Sequence, residues 1–356
     1  RHAIARQVLS IPGASEEAAM KLQSPELSVL WAARHRNKLK LGHLKGNRFA
    51  IKIRHVEPSH VVRLTPPLQT INRRGLPNYF GEQRFGVRGD NDLLGAALIR
   101  GDNKQVLHLL LGNPRPDVDP PEVLQARTHF DRSEFEQSLK HWPRSFGMER
   151  RLLARFAKAT RPAATVRMID QRIKRLWISA LQSRVFNEVL ARRIDTIDRI
   201  LEGEVCEKTE NGACFIAEDL AAEQARADEW EISPTGPLIG YKMTHPLGAA
   251  NAIEQEVFAK FNLTPEDLRG AEKARARGAR RALRVRPEDV RSEGGVDEHG
   301  AYILLAFTLP SGSFATTLLR EIMKPDRHEP PPSAEADETV AIEDDDGAVE
   351  DDAGAE

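Results

Sequence analysis

Residues 77–86 read Pro77-Asn78-Tyr79-Phe80-Gly81-Glu82-Gln83-Arg84-Phe85-Gly86, with three aromatics, two glycines and one arginine in ten positions. Gly81 and Gly86 break any helix or strand that enters this stretch, so the chain changes course here. Aromatics interleaved with arginine and glycine have two readings. They can stack on nucleobases, or they can anchor the junction between two domains.

Upstream, residues 34–54 hold eight Lys and Arg, two His and no carboxylate. The second half of that segment alternates: Phe49, Ile51 and Ile53 fall on one face of a strand, with Arg48, Lys52 and Arg54 on the other. A strand with one basic, solvated face is expected, with Gly42 and Gly46 allowing a tight turn around His43. Downstream, the apolar residues from Arg172 to Ile194 keep helical spacing. Trp177, Leu181, Val185 and Val189 form one stripe, and Phe186, Leu190 and Ile194 lie beside it. Gln182, Ser183 and Asn187 on this helix are expected to hold a neighbouring loop rather than a ligand. Ser233 to Leu238, with two prolines and a glycine, reads as a rigid loop. Glu254 to Phe261 followed by Thr264-Pro265-Glu266-Asp267-Leu268 reads as helix, break, helix start. A second basic cluster runs from Lys273 to Arg286. A strand over Tyr302–Leu309, a turn at Pro310–Ser313 and a helix from about Phe314 to Ile322 close the folded part, with Ser311 or Ser313 as the helix cap.

The chain has 356 residues, enough for about two domains. Hydrophobic residues at 40% and charged residues at 29% are values of a globular protein. The longest apolar runs, Leu93–Ile99 and Ala301–Phe307, are far shorter than the ~20 residues that span a bilayer, and no membrane association is expected. The two cysteines, Cys206 and Cys214, support neither a disulfide framework nor a thiolate metal site, and a reducing, cytoplasmic setting fits. Phosphate-loop, dinucleotide and serine-hydrolase motifs are absent, which disfavours nucleotide-driven and serine-hydrolase chemistry; no metal is expected. The net charge of −1 hides an asymmetry. Residues 325–356 carry 13 Asp and Glu against Arg327, while residues 1–324 hold 51 basic and 40 acidic residues, a net of +11. The tail, with three consecutive prolines and almost no large apolar side chain, is expected to be disordered. The body's basic excess beside aromatics is the footprint of phosphate contacts with base stacking.

Five segments carry a resemblance. Arg1 to Gln7, Lys38 to Phe49, Pro77 to Gly86, Trp177 to Asn187 and Leu309 to Thr316 occur in the order found in the tRNA pseudouridine synthase D (TruD) family, spanning residue 1 to about 323. The resemblance implies an isomerase acting on tRNA that converts uridine 13 to pseudouridine without a cofactor. It implies an α+β fold: a catalytic domain with a mixed, mainly antiparallel sheet and helices (1–74 and 281–324), interrupted by a large α/β insertion domain (75–280) and followed by the acidic tail (325–356).

The family's catalytic Asp follows a Gly-x-Lys stretch and immediately precedes the residues matching Arg1-His2-Ala3. The resemblance therefore places it just before Arg1, and no catalytic residue is expected within the sequence itself, so the fragment alone is expected to be inactive. Ala5 departs from the family's usual Thr. Phe49 matches the aromatic of the uracil pocket, and Asn47 the polar residue that bonds the base or holds the Asp. Phe314 matches a second aromatic near the pocket and Gln7 a polar residue near the Asp; either can instead pack the loop. Lys38, Lys40, His43, Lys45, Arg48, Arg84, Arg280 and Arg281 are the expected RNA contacts. The alternative is a non-catalytic RNA-binding protein or RNA chaperone.

Overall fold

The computed structural model of the chain describes residues 3–40 and 42–324; the acidic tail expected to be disordered lies outside the described residues. The chain divides into two compact units. Among the described residues the first takes in residues 3–47 and Pro310–Gly312, and the second Arg48–Leu309 with residues 313–324.

The first unit is mostly irregular. A short helix α1 (Glu16–Met20) starts where the Ser15 hydroxyl accepts the Ala18 N–H, and Glu16 and Glu17 suit the positive end of its dipole. A two-residue hairpin, β1 (Gln23–Ser24) and β2 (Leu27–Ser28), follows. Loop backbone is satisfied locally: Arg34 N–H donates to Glu16 Oε1 at 3.0 Å, Leu39 N–H to the Ser10 hydroxyl at 3.2 Å and Ser311 N–H to the Lys45 carbonyl at 3.0 Å. Gly42 takes φ +87°, in the left-handed region glycine favours, beside a turn in which His43 N–H bonds the Lys40 carbonyl.

The strand expected at Phe49 forms as β3 (Gly46–Arg54), with Phe49, Ile51 and Ile53 half-buried. After helix α2 (Thr65–Arg74) and a two-residue β4 (Leu76–Pro77) come seven helices: α3 (Asn91–Arg100), α4 (Asn103–Leu111), α5 (Pro121–Asp131), α6 (Phe135–His141), α7 (Gly147–Ala159), α8 (Pro162–Val166) and α9 (Gln171–Arg192). Then follow β5 (Val205–Lys208), β6 (Cys214–Ile216), α10 (Leu220–Asp228), β7 (Ile232–Leu238), α11 (Gly248–Lys260) and α12 (Pro265–Lys273). The chain closes through β8 (Ala279–Ala282), β9 (Arg284–Val285), β10 (Glu288–Asp297), β11 (Gly300–Pro310) and α13 (Ala315–Met323). The strands form sheets in the orders β10-β11-β3, β4-β9 and β6-β5-β7-β8, and the pairs β10–β11, β4–β9, β5–β6, β5–β7 and β7–β8 are antiparallel. This is the expected α+β class. No helix among the described residues is long and apolar enough to cross a membrane.

Several cores hold the second unit. In β11 every second residue, Ile303, Leu305, Phe307 and Leu309, is buried, which is the period of a strand with one covered face. Leu305, Phe307 and Leu309 pack with Ile71, Leu76 and Leu318, with Phe49 and Ile51 at the margin. Each such side chain removed from water contributes roughly 1.5–3 kcal/mol. The helices α3–α9 enclose a separate core around Leu107, Leu111, Trp142 and Leu153. Helices α3 and α9 touch backbone to backbone at Gly95, where a Cβ atom would stand 2.2 Å from the Trp177 carbonyl oxygen. The expected α9 stripe of Trp177, Leu181, Val185 and Val189 is buried throughout.

Three local expectations are corrected. Ser233 to Leu238 is the buried strand β7, not a loop. Its first half pairs with β5 and its second with β8. The Pro234 carbonyl accepts from Leu283 N–H at 2.9 Å, so the ring stands where an acceptor is used. Neither Ser311 nor Ser313 caps α13; Phe314 occupies the N-cap position, and the Ser313 hydroxyl reaches Asn78 Oδ1 at 3.4 Å. The basic face of β3 is not simply solvated: Arg54 grips Asp297 through both terminal nitrogens (2.5 and 2.8 Å) and Lys52 Nζ reaches the same carboxylate at 2.7 Å. Arg48 keeps an exposed 3.3 Å pairing with Asp289. The acids absent from residues 34–54 come from β10, more than 240 positions away.

Candidate functional site

The segment 77–86 resolves as a junction inside the second unit. Asn187 on α9 clamps Phe80: its Oδ1 accepts the Phe80 N–H at 2.9 Å and its Nδ2 donates to the Phe80 carbonyl at 3.0 Å. Asn78 is buried; its Nδ2 donates to the Ala282 carbonyl (2.9 Å) while its Oδ1 accepts from Arg281 Nη2 (2.6 Å). The Arg281 guanidinium lies 4.1 Å from the centre of the Phe80 ring, and Arg84 covers the same ring at 5.5 Å. Phe186 meets Phe80 edge-on at 5.5 Å and Phe314 approaches it at 6.2 Å. Gly86 takes φ +77° and any Cβ would collide with the Asn91 side chain, so glycine is required at this corner. Phe80 and Phe85 are buried. Of the two readings of the aromatics, the junction is the one these two rings serve.

The expected site residues therefore separate. Arg84, Arg281 and Phe314 gather around Phe80, all half-buried. Phe49 stands apart on the three-stranded sheet, its ring 5.3 Å from Phe307 at a 30° tilt. Gln7, Lys38, Lys40, His43, Lys45 and Asn47 are exposed residues of the first unit, and Arg48 is exposed in the second. Arg280 is corrected outright. Buried beneath β7, its guanidinium makes a two-pronged contact with Glu254 (2.6 and 3.1 Å) and bonds the Thr235 hydroxyl and carbonyl at 3.0 and 2.9 Å, leaving nothing for a phosphate. A charge run read along a strand does not reveal which members face inward; Arg284, also buried, spends its donors on the Arg74 and Ala227 carbonyls.

Asn78 and Asn187 hold the junction in shape. Asn187 was legible as a polar group on an apolar helix; Asn78 lacked a signal beyond its place in the motif. Among the described residues no group of three or more His, Cys, Asp or Glu can hold a metal. The Cys206 thiol is pushed up to about 12 by burial, which keeps it protonated and non-nucleophilic.

A sheet backed by helices, joined through this aromatic junction to a mainly helical body, has counterparts of known kind. The family model described as tRNA pseudouridine synthase D (TruD) matches residues 1–322. The chain is 41% identical over 326 residues to the tRNA pseudouridine synthase D of Geobacter sp. (strain M21), covering 91% of this chain and 80% of that one. It is 33% identical over 327 residues to the tRNA pseudouridine synthase D of Thermus thermophilus, covering 91% and 71%. The crystal structure of a TruD protein from Methanosarcina mazei superposes with a TM-score of 0.76 at 27% identity, over 88% of this chain and 76% of that one. The fold thus sets the chain among the pseudouridine synthases, and within them it belongs to the TruD family.

Proposed function

We propose that this chain serves the isomerisation of a uridine in tRNA, at position 13, to pseudouridine. The observation that carries the reading is the family match over residues 1–322, together with relatives of the same name that align along nine-tenths of the chain. In the reaction the N1–C1′ bond breaks, the uracil turns, a C5–C1′ bond forms, C5 loses its proton and N1 gains one. Atoms balance without a cofactor. The Asp that drives the step is the residue proposed to stand immediately before Arg1.

The target base must leave its stack, at a cost of a few kcal/mol, and an aromatic face returns roughly 1–3 kcal/mol of that. Phe49 is proposed for this face. Its half-exposed ring at the margin of the sheet core supports the role, because one side can rest on Phe307 while the other stays open. Asn47, two positions earlier on β3, is proposed to bond the base or the Asp, and Phe314 and Gln7 are proposed as further substrate-binding residues. Exposed Lys38, Lys40, His43, Lys45 and Arg48, with Arg84, are the proposed phosphate contacts. Residues 1–74 and 281–324 are proposed as the catalytic domain and 75–280 as the insertion; the helical core around Leu107 and Leu153 lies apart from the sheet core around Leu305 and Phe307, which Leu76 joins at the boundary. A cytoplasmic setting follows from the substrate. The non-catalytic alternative has no observation in its favour.

The test uses the chain extended upstream through the Asp. Phe49→Leu keeps apolar volume against Phe307 but removes the π-face, and should lower the isomerisation rate about 10- to 100-fold with tRNA affinity nearly unchanged. Equal losses of rate, affinity and thermal midpoint would assign Phe49 to the core alone. Absence of pseudouridine with the parent protein would overturn the function.

A further inference from the structure

The stretch from Arg144 to Arg175 holds ten Lys and Arg against two acids, Glu149 and Asp170. Helix α7 sorts these charges by face. Leu152 and Leu153 are buried and Phe156 packs on the helical core, while Arg151, Arg155 and Lys158, at i, i+4 and i+7, lie exposed on the opposite side. Arg161 is exposed just beyond the helix end.

On other helices of the second unit some surface cations find carboxylates, as Arg192 does with Glu256, Lys260 with Glu188 and Arg269 with Glu266, while others, among them Lys104, Lys140 and Arg175, pair with no carboxylate among the described residues; α7 is a helix that groups such cations on one face. Among the described residues Arg151, Arg155, Lys158 and Arg161 pair with no carboxylate; Arg151 Nε donates at 3.3 Å to the Gly147 carbonyl of its own helix. A merely solvated helix face interleaves both signs. Four unneutralised cations within about three helical turns have instead the spacing and chemistry that phosphates recruit.

We infer that the α7 face bearing Arg151, Arg155, Lys158 and Arg161 is a phosphate-backbone docking surface for the RNA substrate, positioning it without reading its bases. The inference rests on the proposed action on tRNA. Backbone contacts of this kind fix register and orientation, and base chemistry stays at the pocket.

The experiment measures tRNA affinity against salt for the parent and for the triple variant Arg151→Ala, Arg155→Ala, Lys158→Ala. Losing three phosphate contacts should flatten the slope of log K against log salt by about two to three units and weaken binding roughly ten-fold at 0.1 M salt. All three side chains are exposed, so the thermal midpoint should hold. The charge-preserving variant Arg151→Lys, Arg155→Lys should keep the parental slope. An unchanged slope in the triple variant overturns the surface, as does a loss confined to heparin with tRNA binding intact. A flattened tRNA slope in a protein that makes no pseudouridine supports the surface while rejecting the catalytic reading.

Discussion

At the scale of single residues, Asp297 is the clearest electrostatic commitment in the sheet. It accepts two bonds from Arg54, one from Lys52 and one from the His299 N–H at 3.0 Å, and Lys52 lies 4.3 Å from the Tyr302 ring centre. The hydrogen bonds from Arg54 and Lys52 hold its carboxyl well below the ordinary aspartate value of 3.8. A folded-state pKa below the unfolded one gives stability that is present above the unfolded value and lost as pH falls through the folded one. Asp297→Asn should therefore melt below the parent at pH 7, and the gap should close between pH 4 and the acid limit of the titration. Thermal midpoints across that range test it, and a gap that stays constant with pH would assign the effect to shape rather than charge.

At the scale of elements, the junction depends on α9 holding a loop by its backbone. Asn187→Ala removes both bonds to Phe80 and strands a buried N–H and carbonyl, which should destabilise the second unit by about 2–3 kcal/mol. Denaturant midpoints measure this, and a change under 0.5 kcal/mol would show that Phe80 is held by Arg281 and Phe186 alone. The role of Asn187 was readable in advance because helical spacing puts it beside Phe186 and Leu190, on a face where a polar group needs a partner. The strand at Phe49 and the strand of Tyr302–Leu309 were readable for the same kind of reason, since period-two alternation survives in any tertiary context that covers one face. Strand β7 was not: Pro234, Gly236 and Pro237 argue for a loop until β5 and β8 are known to flank it, and those neighbours lie 24 or more positions away. Arg280 failed likewise, because its partner Glu254 sits on a helix that no local pattern links to β8. The α7 stripe is legible in the sequence as well, from the i, i+4, i+7 spacing of Arg151, Arg155 and Lys158.

At the scale of the whole molecule, charge is divided along the chain more sharply than its total suggests. Residues 1–324 carry +11, yet much of the arginine in that sum is committed internally: Arg193 to Glu204, Arg280 to Glu254, and Arg88 to Asp90 and Asp119. Among the described residues the exposed cations without a carboxylate partner include Lys38, Lys40 and Lys45 and, on α7, Arg151, Arg155 and Lys158. Residues 325–356 carry −12, and an acidic segment tethered to the same chain would compete with RNA for such cations at a high effective concentration. Deleting them should tighten non-specific RNA binding about three- to ten-fold at 50 mM salt, and the gain should fade above about 0.3 M as the screening length contracts to a few ångströms. A titration of the deleted and parent proteins against an unrelated single-stranded RNA over that salt range decides the matter. Equal affinities at every salt concentration would mean that the tail leaves the basic surfaces uncontested, and its charge would then bear on solubility rather than on binding.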